Sequence, residues 1–383
     1  MVLKYIRFTF LRRKNFMKKL IAIVLVLAMA LGLAACAKKE APAANAPAAT
    51  TQPAASGSSS QPAAGGSSTP AAAPSVSIQV GYGNNPGEPT DLAMNYFADL
   101  VKERSNGEME LVTMPSSQLG SQADVTSNIA MGEGAVIEIS DGAFLQDYGN
   151  PEIAAIACPY LFANWDECWT LIDSDWYTEQ KEALKPNGIH VLAANYAYGA
   201  RELMTVKPVR QLADLKGLIV RCPSTPSYVK AFEYMGAAPT AMALGDVYTS
   251  TQQGIVEGME NPFATLYGQA YYEVAKYITM TDHILCETCW IINEDYFQGL
   301  TADQQAILEQ ACYDAGIYNN QKQDEMLADY KQKMVDNGVE IIDLTDAQRK
   351  EFADAAAPVF TDPSISEGWR DGLYEYLCGI MGK

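Results

Sequence analysis

Histidine is almost missing from this chain: His190 and His283 are the only two in 383 residues. Imidazole-based proton transfer and histidine-rich metal sites therefore have few places to sit. The patterns G-x-S-x-G, H-E-x-x-H, the Walker loop and G-x-G-x-x-G do not occur. Their absence removes the commonest hydrolase, zinc-protease, phosphate-loop and dinucleotide readings. Cations are scarce as well, with 27 Lys and Arg against 46 Asp and Glu, a net charge of −19. Seven of those cations fall within residues 1–36, which hold no acid, so the rest of the chain carries 20 cations against 46 acids, or −26. Such a surface repels phosphate backbones and does not lie flat on an anionic membrane, which argues against nucleic acid as a partner.

What the N-terminus does contain is an export signal. Lys18-Lys19 precede an apolar run, Leu20–Ala35, of 16 residues. That is short of the roughly 20 residues of a spanning helix. A basic start, an apolar middle and a small-residue end read as a signal peptide over 1–35, with Met17 of "MKKL" as an alternative start. "LAAC" at 33–36 resembles the bacterial lipobox, which makes Cys36 a lipidation site. The following segment, 36–75, is rich in Ala, Pro, Ser and Gly with no apolar period, so it is expected to be a disordered tether. The 38 residues from 37 to 74 reach about 35 Å as a flexible coil. The expected location is extracytoplasmic, lipid-anchored to the cell membrane, at its periplasmic or outer face.

Seven cysteines follow Cys36, at 158, 168, 222, 286, 289, 312 and 378. An odd number leaves at least one unpaired within the chain, and no pairing is deducible. "CETC" at 286–289 invites a zinc reading, but positions i and i+3 of a strand face opposite ways and no second ligand pair has the right spacing. No metal, cofactor or catalytic residue is expected.

From Val76 short apolar strands alternate with helical stretches. "VSIQVGY", "MELVTM" and "AVIEIS" read as strands separated by helices over 88–107 and 121–134, a βαβαβ start to an α/β fold. Further strands are expected at 190–195, 201–206, 217–221 and within 283–293. "TADQ" at 301–304 is a capping box opening a helical tract to about Asn337. That tract is either two helices broken near Gly316 or one helix lying across two domains. Helical regions at 346–357 and 369–381 close the chain.

"LIVRCP" at 218–223 ends a buried-looking parallel strand with Arg221. Ligands of open α/β sheets bind at carboxyl strand ends, and a guanidinium fork matches a carboxylate. A structural ion pair with a nearby acid explains the same residue equally well. Arg201 after Gly199 and Asn261 before Pro262 are similarly open, as a ligand contact or as a strand-end and turn residue. Trp290, Tyr160 and Tyr198 suit an aromatic ligand or a core.

Five stretches in order resemble the solute-binding proteins of tripartite ATP-independent periplasmic (TRAP) transporters, of the dicarboxylate- and sialate-binding type. They are "PSSQLGSQ" at 115–122, "ACPYLF" at 157–162, "YGARELMTVKPVRQLADLKGLIVRCP" at 198–223, "GAAPTAMALGDVYTSTQQGIVEGMENP" at 236–262 and "YYEVAKYITMTDHIL" at 271–285. The resemblance spans about 76–383. It implies a two-domain periplasmic-binding-protein-like fold with a ligand cleft between the domains and a long helix crossing both. Domain I would be 76–198 plus 287–326, and domain II 199–286 plus 327–383. It also implies that Arg221 clamps a carboxylate, helped by Arg201 and Asn261, with Asn84, Asn85, Ser140 and Asp141 on the other wall. The implied partners are a small organic acid and the TRAP membrane subunits. Leu244 stands where many relatives carry an aromatic, and Ser140 and Ala143 stand where sialate binders are charged. Those departures favour a smaller anion, such as a four-carbon dicarboxylate, a keto or hydroxy acid, or an aromatic acid. Alternatives are a binding protein for an ATP-driven importer or sensor kinase, an exported cysteine-dependent hydrolase, and a structural lipoprotein.

Overall fold

The structure, a computed structural model, describes residues 74–383. The expected signal peptide, the expected lipidation site Cys36 and all but the last two residues of the expected tether over 36–75 lie outside the described residues. No described helix is long and apolar enough to cross a membrane.

The expected βαβαβ start is present. Strand β1 (Val76–Gly81) pairs in parallel with both β2 (Met109–Met114) and β3 (Val136–Ser140). Helix α1 (Pro89–Arg104) connects the first two strands, and α2 (Gln122–Ala130) leads to the third. Proline in the first turn and Asp91 suit the helix start of α1, and Lys102 and Arg104 suit its end. Its face Ala93, Met94, Phe97, Leu100, Val101 is buried, as the i, i+3, i+4 spacing predicts.

The central element is an antiparallel ribbon of two strands of 17 residues each, β4 (Ile189–Thr205) and β8 (Tyr277–Asn293). β4 replaces the two separate strands expected at 190–195 and 201–206. Its apolar pattern breaks at "YAYG", but the chain stays extended because the β4–β8 register shifts there by bulges instead of turning. The ribbon joins β1, β2 and β3 on one side to β5 (Ile219–Cys222), β6 (Ala238–Ala241) and β7 (Gly258–Asn261) on the other. The sheet order is β2-β1-β3-β8-β4-β7-β5-β6, with β9 (Glu340–Asp343) paired to β8. At about 3.3 Å per residue each ribbon strand reaches about 56 Å, enough to serve both halves.

The tract after Thr301 is one helix, α7 (Ala302–Asp336), of 35 residues, about 52 Å at 1.5 Å per residue. Gly316 does not break it. A Cβ at Gly316 would overlap the Asn195 side chain, so glycine lets the helix lie close on β4. Amide side chains of α7 then serve the β4 backbone where the ladder is irregular. Asn319 donates to Ala197 O (2.8 Å), Asn320 to Asn195 O (2.9 Å) and Gln323 to Tyr198 O (3.0 Å), and Asn320 Oδ1 accepts from Ala197 N (2.7 Å). Backbone groups orphaned by the bulges are thereby satisfied.

Four apolar clusters form the core of the described residues. One, around Trp290, joins β1, β3 and α1 to Leu308, Ala311 and Cys312 of α7. A second joins α3 (Trp165–Ile172), α4 (Asp175–Leu184) and the last helix, α9 (Leu373–Met381). A third lies under β5, α5 (Pro226–Tyr234) and α8 (Asp346–Ala356). The fourth lies between α6 (Phe263–Gly268) and the end of α7.

Candidate functional site

A cleft of about 500 Å3 opens where β1, β3, β5 and β7 end, with walls from both halves of the sheet. Arg221 enters it from β5. That strand is parallel to both neighbours, and Val220 and Cys222 on either side of the arginine are fully buried. Pro223 follows directly and the strand ends. Arg221 Nε and Nη2 donate to Met242 O at 2.9 and 2.7 Å, which fixes one edge of the guanidinium. The group is 4% exposed, and among the described residues no carboxylate lies within 4.0 Å of it. Burial lowers its pKa from 12.5, with Glu260 acting the other way, and it stays a cation. Its Nη1 makes no hydrogen bond to another described residue.

Arg201 is not at a strand start. It sits inside β4, two residues past Gly199, whose φ of +128° suits glycine alone. It is a buried ion pair as well as a cleft residue. Nε donates to Glu260 Oε2 (2.5 Å) and Nη2 to Oε1 (2.8 Å), while Tyr228 lies 5.0 Å away over the guanidinium. His283 Nε2 is 3.2 Å from the same Glu260 Oε2, and its Nδ1 is 2.8 Å from Thr281 Oγ1. Burial would push the Glu260 carboxyl up, but the charge and hydrogen bonds of Arg201 and His283 outweigh it and bring it down to about 2.

Asn261, the last residue of β7, lines the cleft with no side-chain hydrogen bond to another described residue. Asn84 and Asp141 line the opposite wall. Asn84 Nδ2 lies 2.6 Å from Glu88 Oε2 and 3.2 Å from the Tyr198 hydroxyl. Asp141 Oδ1 accepts from the backbone of Ala143 (2.8 Å) and Phe144 (3.3 Å). Burial raises its pKa to about 6, with Arg201 and the two N–H groups holding it from going further.

Two expected wall residues do not line the cleft. Ser140 lies between Ile139 and Asp141, which do, and on an extended chain its side chain points the other way. Asn85 is used elsewhere: Nδ2 donates to Gly268 O (2.8 Å) and Oδ1 accepts from Ser116 Oγ (2.5 Å). With Gln269 Nε2 donating to Gly83 O at 3.1 Å, it clasps the loop after β1 to the end of α6. Glu88, buried and pushed up to about 7 by that burial, packs where a Cβ on Gly268 would fall. Gly268→Val should displace the Glu88 carboxyl and loosen the clasp, lowering stability by about 1–3 kcal/mol in chemical denaturation.

Sequence reasoning named no role for Ser117, Gln122, Phe144, Ser224 or Thr288, which also line the cleft. Ser117 and Gln122 belong to the "PSSQLGSQ" stretch, and Thr288 alternates with Cys286 on β8, so strand period alone could have linked those two. Of the aromatics, Tyr198 lines the cleft. Trp290 is core, with its ring edge-on to Tyr82 at 6.1 Å, and Tyr160 bonds Thr281 O. Cys286 faces the cleft, whereas Cys289 packs into the cluster with α3.

A profile of the bacterial extracellular solute-binding proteins, family 7, matches residues 80–365, which include every cleft residue named above. The 2,3-diketo-L-gulonate-binding periplasmic protein YiaO of Escherichia coli is 30% identical over 297 residues, 76% of this chain and 88% of that protein. A TRAP periplasmic solute-binding protein from Ochrobacterium anthropi, solved with L-fuconate, is 39% identical with a TM-score of 0.76, over 80% of this chain and 99% of that one. One from Actinobacillus succinogenes, solved with L-galactonate, is 33% identical with a TM-score of 0.75, over the same shares. The α/β fold is that of these proteins, and the chain belongs to the family 7 extracellular solute-binding proteins of TRAP transporters.

Proposed function

We propose that the cleft captures one sugar acid, in the class of galactonate and fuconate, and that the protein hands it to the membrane subunits of a TRAP transporter. The observation that carries this reading is Arg221, a buried cation that lines the cleft and has no carboxylate partner among the described residues. A ligand carboxylate completes it with charge-assisted hydrogen bonds. Hydroxyl and amide groups of Asn261, Asn84, Ser117, Gln122, Ser224 and Thr288 suit the remaining hydroxyls of a sugar acid. The relatives named above bind such acids, which moves the expectation away from the four-carbon dicarboxylates and aromatic acids considered from sequence. The direct test is calorimetry with L-galactonate, L-fuconate and 2,3-diketo-L-gulonate. Failure of all of these, and of a wider panel of sugar acids, would overturn the ligand class.

Binding rather than chemistry accounts for the other cleft groups. Burial pushes the Cys286 thiol up to about 12, so it is a poor nucleophile, and His283 is engaged by Glu260 and Thr281. This speaks against the cysteine-dependent hydrolase.

The lobes in this proposal are 76–198 with 287–326 and 199–286 with 327–383. They meet where Ala197 faces Glu287 and Gly199 faces Cys286 across the ribbon. Leu373 and Leu377 of α9 pack with Leu171 of the first lobe, so the C-terminal helix crosses back and ties the two together. The proposed anchor is a lipid on Cys36. Cys36→Ser should release the protein from membranes in a cell-fractionation experiment while leaving ligand binding unchanged; a variant that stays membrane-bound would exclude that anchor.

A further inference from the structure

The cleft is lined by two cations and three acids. The cations are Arg201 and Arg221, and the acids are Asp124, Asp141 and Asp246. Asp124 and Asp246 are exposed, whereas Asp141 is buried beside Arg201. The two arginines are not equivalent. Glu260, fully buried behind Arg201, takes its Nε and Nη2 in a two-bond fork and so cancels its charge. Arg201 keeps Nη1 as a hydrogen-bond donor, its nearest partner being Cys286 Sγ at 3.8 Å. Arg221 makes its hydrogen bonds among the described residues to a neutral carbonyl, that of Met242, and Glu260 reaches it only as a more distant charge.

We propose that Glu260 determines the charge of the ligand: by neutralising Arg201 it leaves one uncompensated cation in the cleft and restricts the ligand to a single carboxylate. This rests on the reading of the cleft as a sugar-acid site. A second carboxylate would be desolvated with no free cation to meet it and with the Asp141 carboxylate in the same cleft, a cost that a hydroxyl at that place does not incur. A hydroxyl can instead donate to Asp141 Oδ2, which has no partner among the described residues.

The probes are L-galactonate and galactarate, which differ only in whether the terminal carbon is an alcohol or a carboxylate. Calorimetry on the wild-type protein should show galactarate at least about thirtyfold weaker, the scale of one unpaired buried charge. Glu260→Gln keeps an oxygen acceptor for Arg201 and removes the negative charge, and it should narrow that ratio at least tenfold. Equal affinities in the wild type, or a folded Glu260→Gln protein with an unchanged ratio, would overturn the inference and leave the sugar-acid reading standing. Binding of neither probe, nor of any related acid, would remove that reading and the inference with it. Should Glu260→Gln not fold, the pair can be replaced as Arg201→Met with Glu260→Leu, which leaves the net charge unchanged. The expected result is then weaker binding of both probes with their ratio preserved. A collapse of the ratio would show that Arg201 meets ligand charge directly.

Discussion

Arg221→Ala should lower sugar-acid affinity by about 2–5 kcal/mol, roughly thirtyfold to several thousandfold, because it strips a buried carboxylate of its only charged partner. The fold should survive. Arg221 makes no ion pair among the described residues, and its hydrogen bonds go to a single carbonyl, Met242 O. Thermal melts without ligand should therefore stay close to wild type while the ligand-induced shift disappears. Arg221→Lys should fall between, since an ammonium keeps the charge but cannot hold Met242 O and a carboxylate along two planar edges at once. Near-native affinity of the alanine variant in calorimetry would sink the clamp assignment.

The second large effect is on stability. Glu260→Ala leaves the Arg201 guanidinium, 4% exposed, without its counter-charge, and His283 without its acceptor. Breaking a buried pair from one side costs about 3–5 kcal/mol. In a protein of this size that is roughly 5–10 °C in melting temperature. The same pair should be visible in acid. The carboxyl sits at about 2 in the fold against 4.5 in the unfolded chain. Its contribution is thus fully present above 4.5 and is lost as the pH falls toward 2, on the order of 3 kcal/mol in all. Chemical denaturation of the wild type between those two pH values should show the loss, and Glu260→Ala should lack that component. Identical acid profiles would mean that Arg201 and Glu260 do not titrate as a pair.

How much of this was legible in the chain follows from the range of the interactions. The capping box at Thr301 and the βαβαβ alternation are local patterns, and both elements stand where they were expected. Whether α7 runs through Gly316 was not legible, because the deciding contact is Asn195, 121 positions earlier in the chain. The merging of two expected strands into β4 was hidden for a similar reason. Bulges between Val191 and Leu203 are tolerated only because α7 side chains take over the backbone hydrogen bonds. Asn85 and Ser140 were placed on the cleft wall together with Asn84 and Asp141, as strand-end residues that the resemblance implied. Neighbouring residues on an extended chain face opposite ways, and the choice between them belongs to the packing.

By itself, then, the sequence determined the acidic character of the chain, its α/β alternation, and an arginine at the end of a short buried strand. Local propensity and hydrophobic period are enough for those. Residue pattern alone left Arg201 and Arg221 alike, and it was the family resemblance that named Arg221 as the clamp and Arg201 as its helper. Only the tertiary structure decided that one is spent on Glu260, 59 residues away, and that the other faces the cleft with its charge unmatched. The physical reason is that a guanidinium costs the same to bury whatever its role. Its role is set by whether a carboxylate from elsewhere in the fold reaches it first.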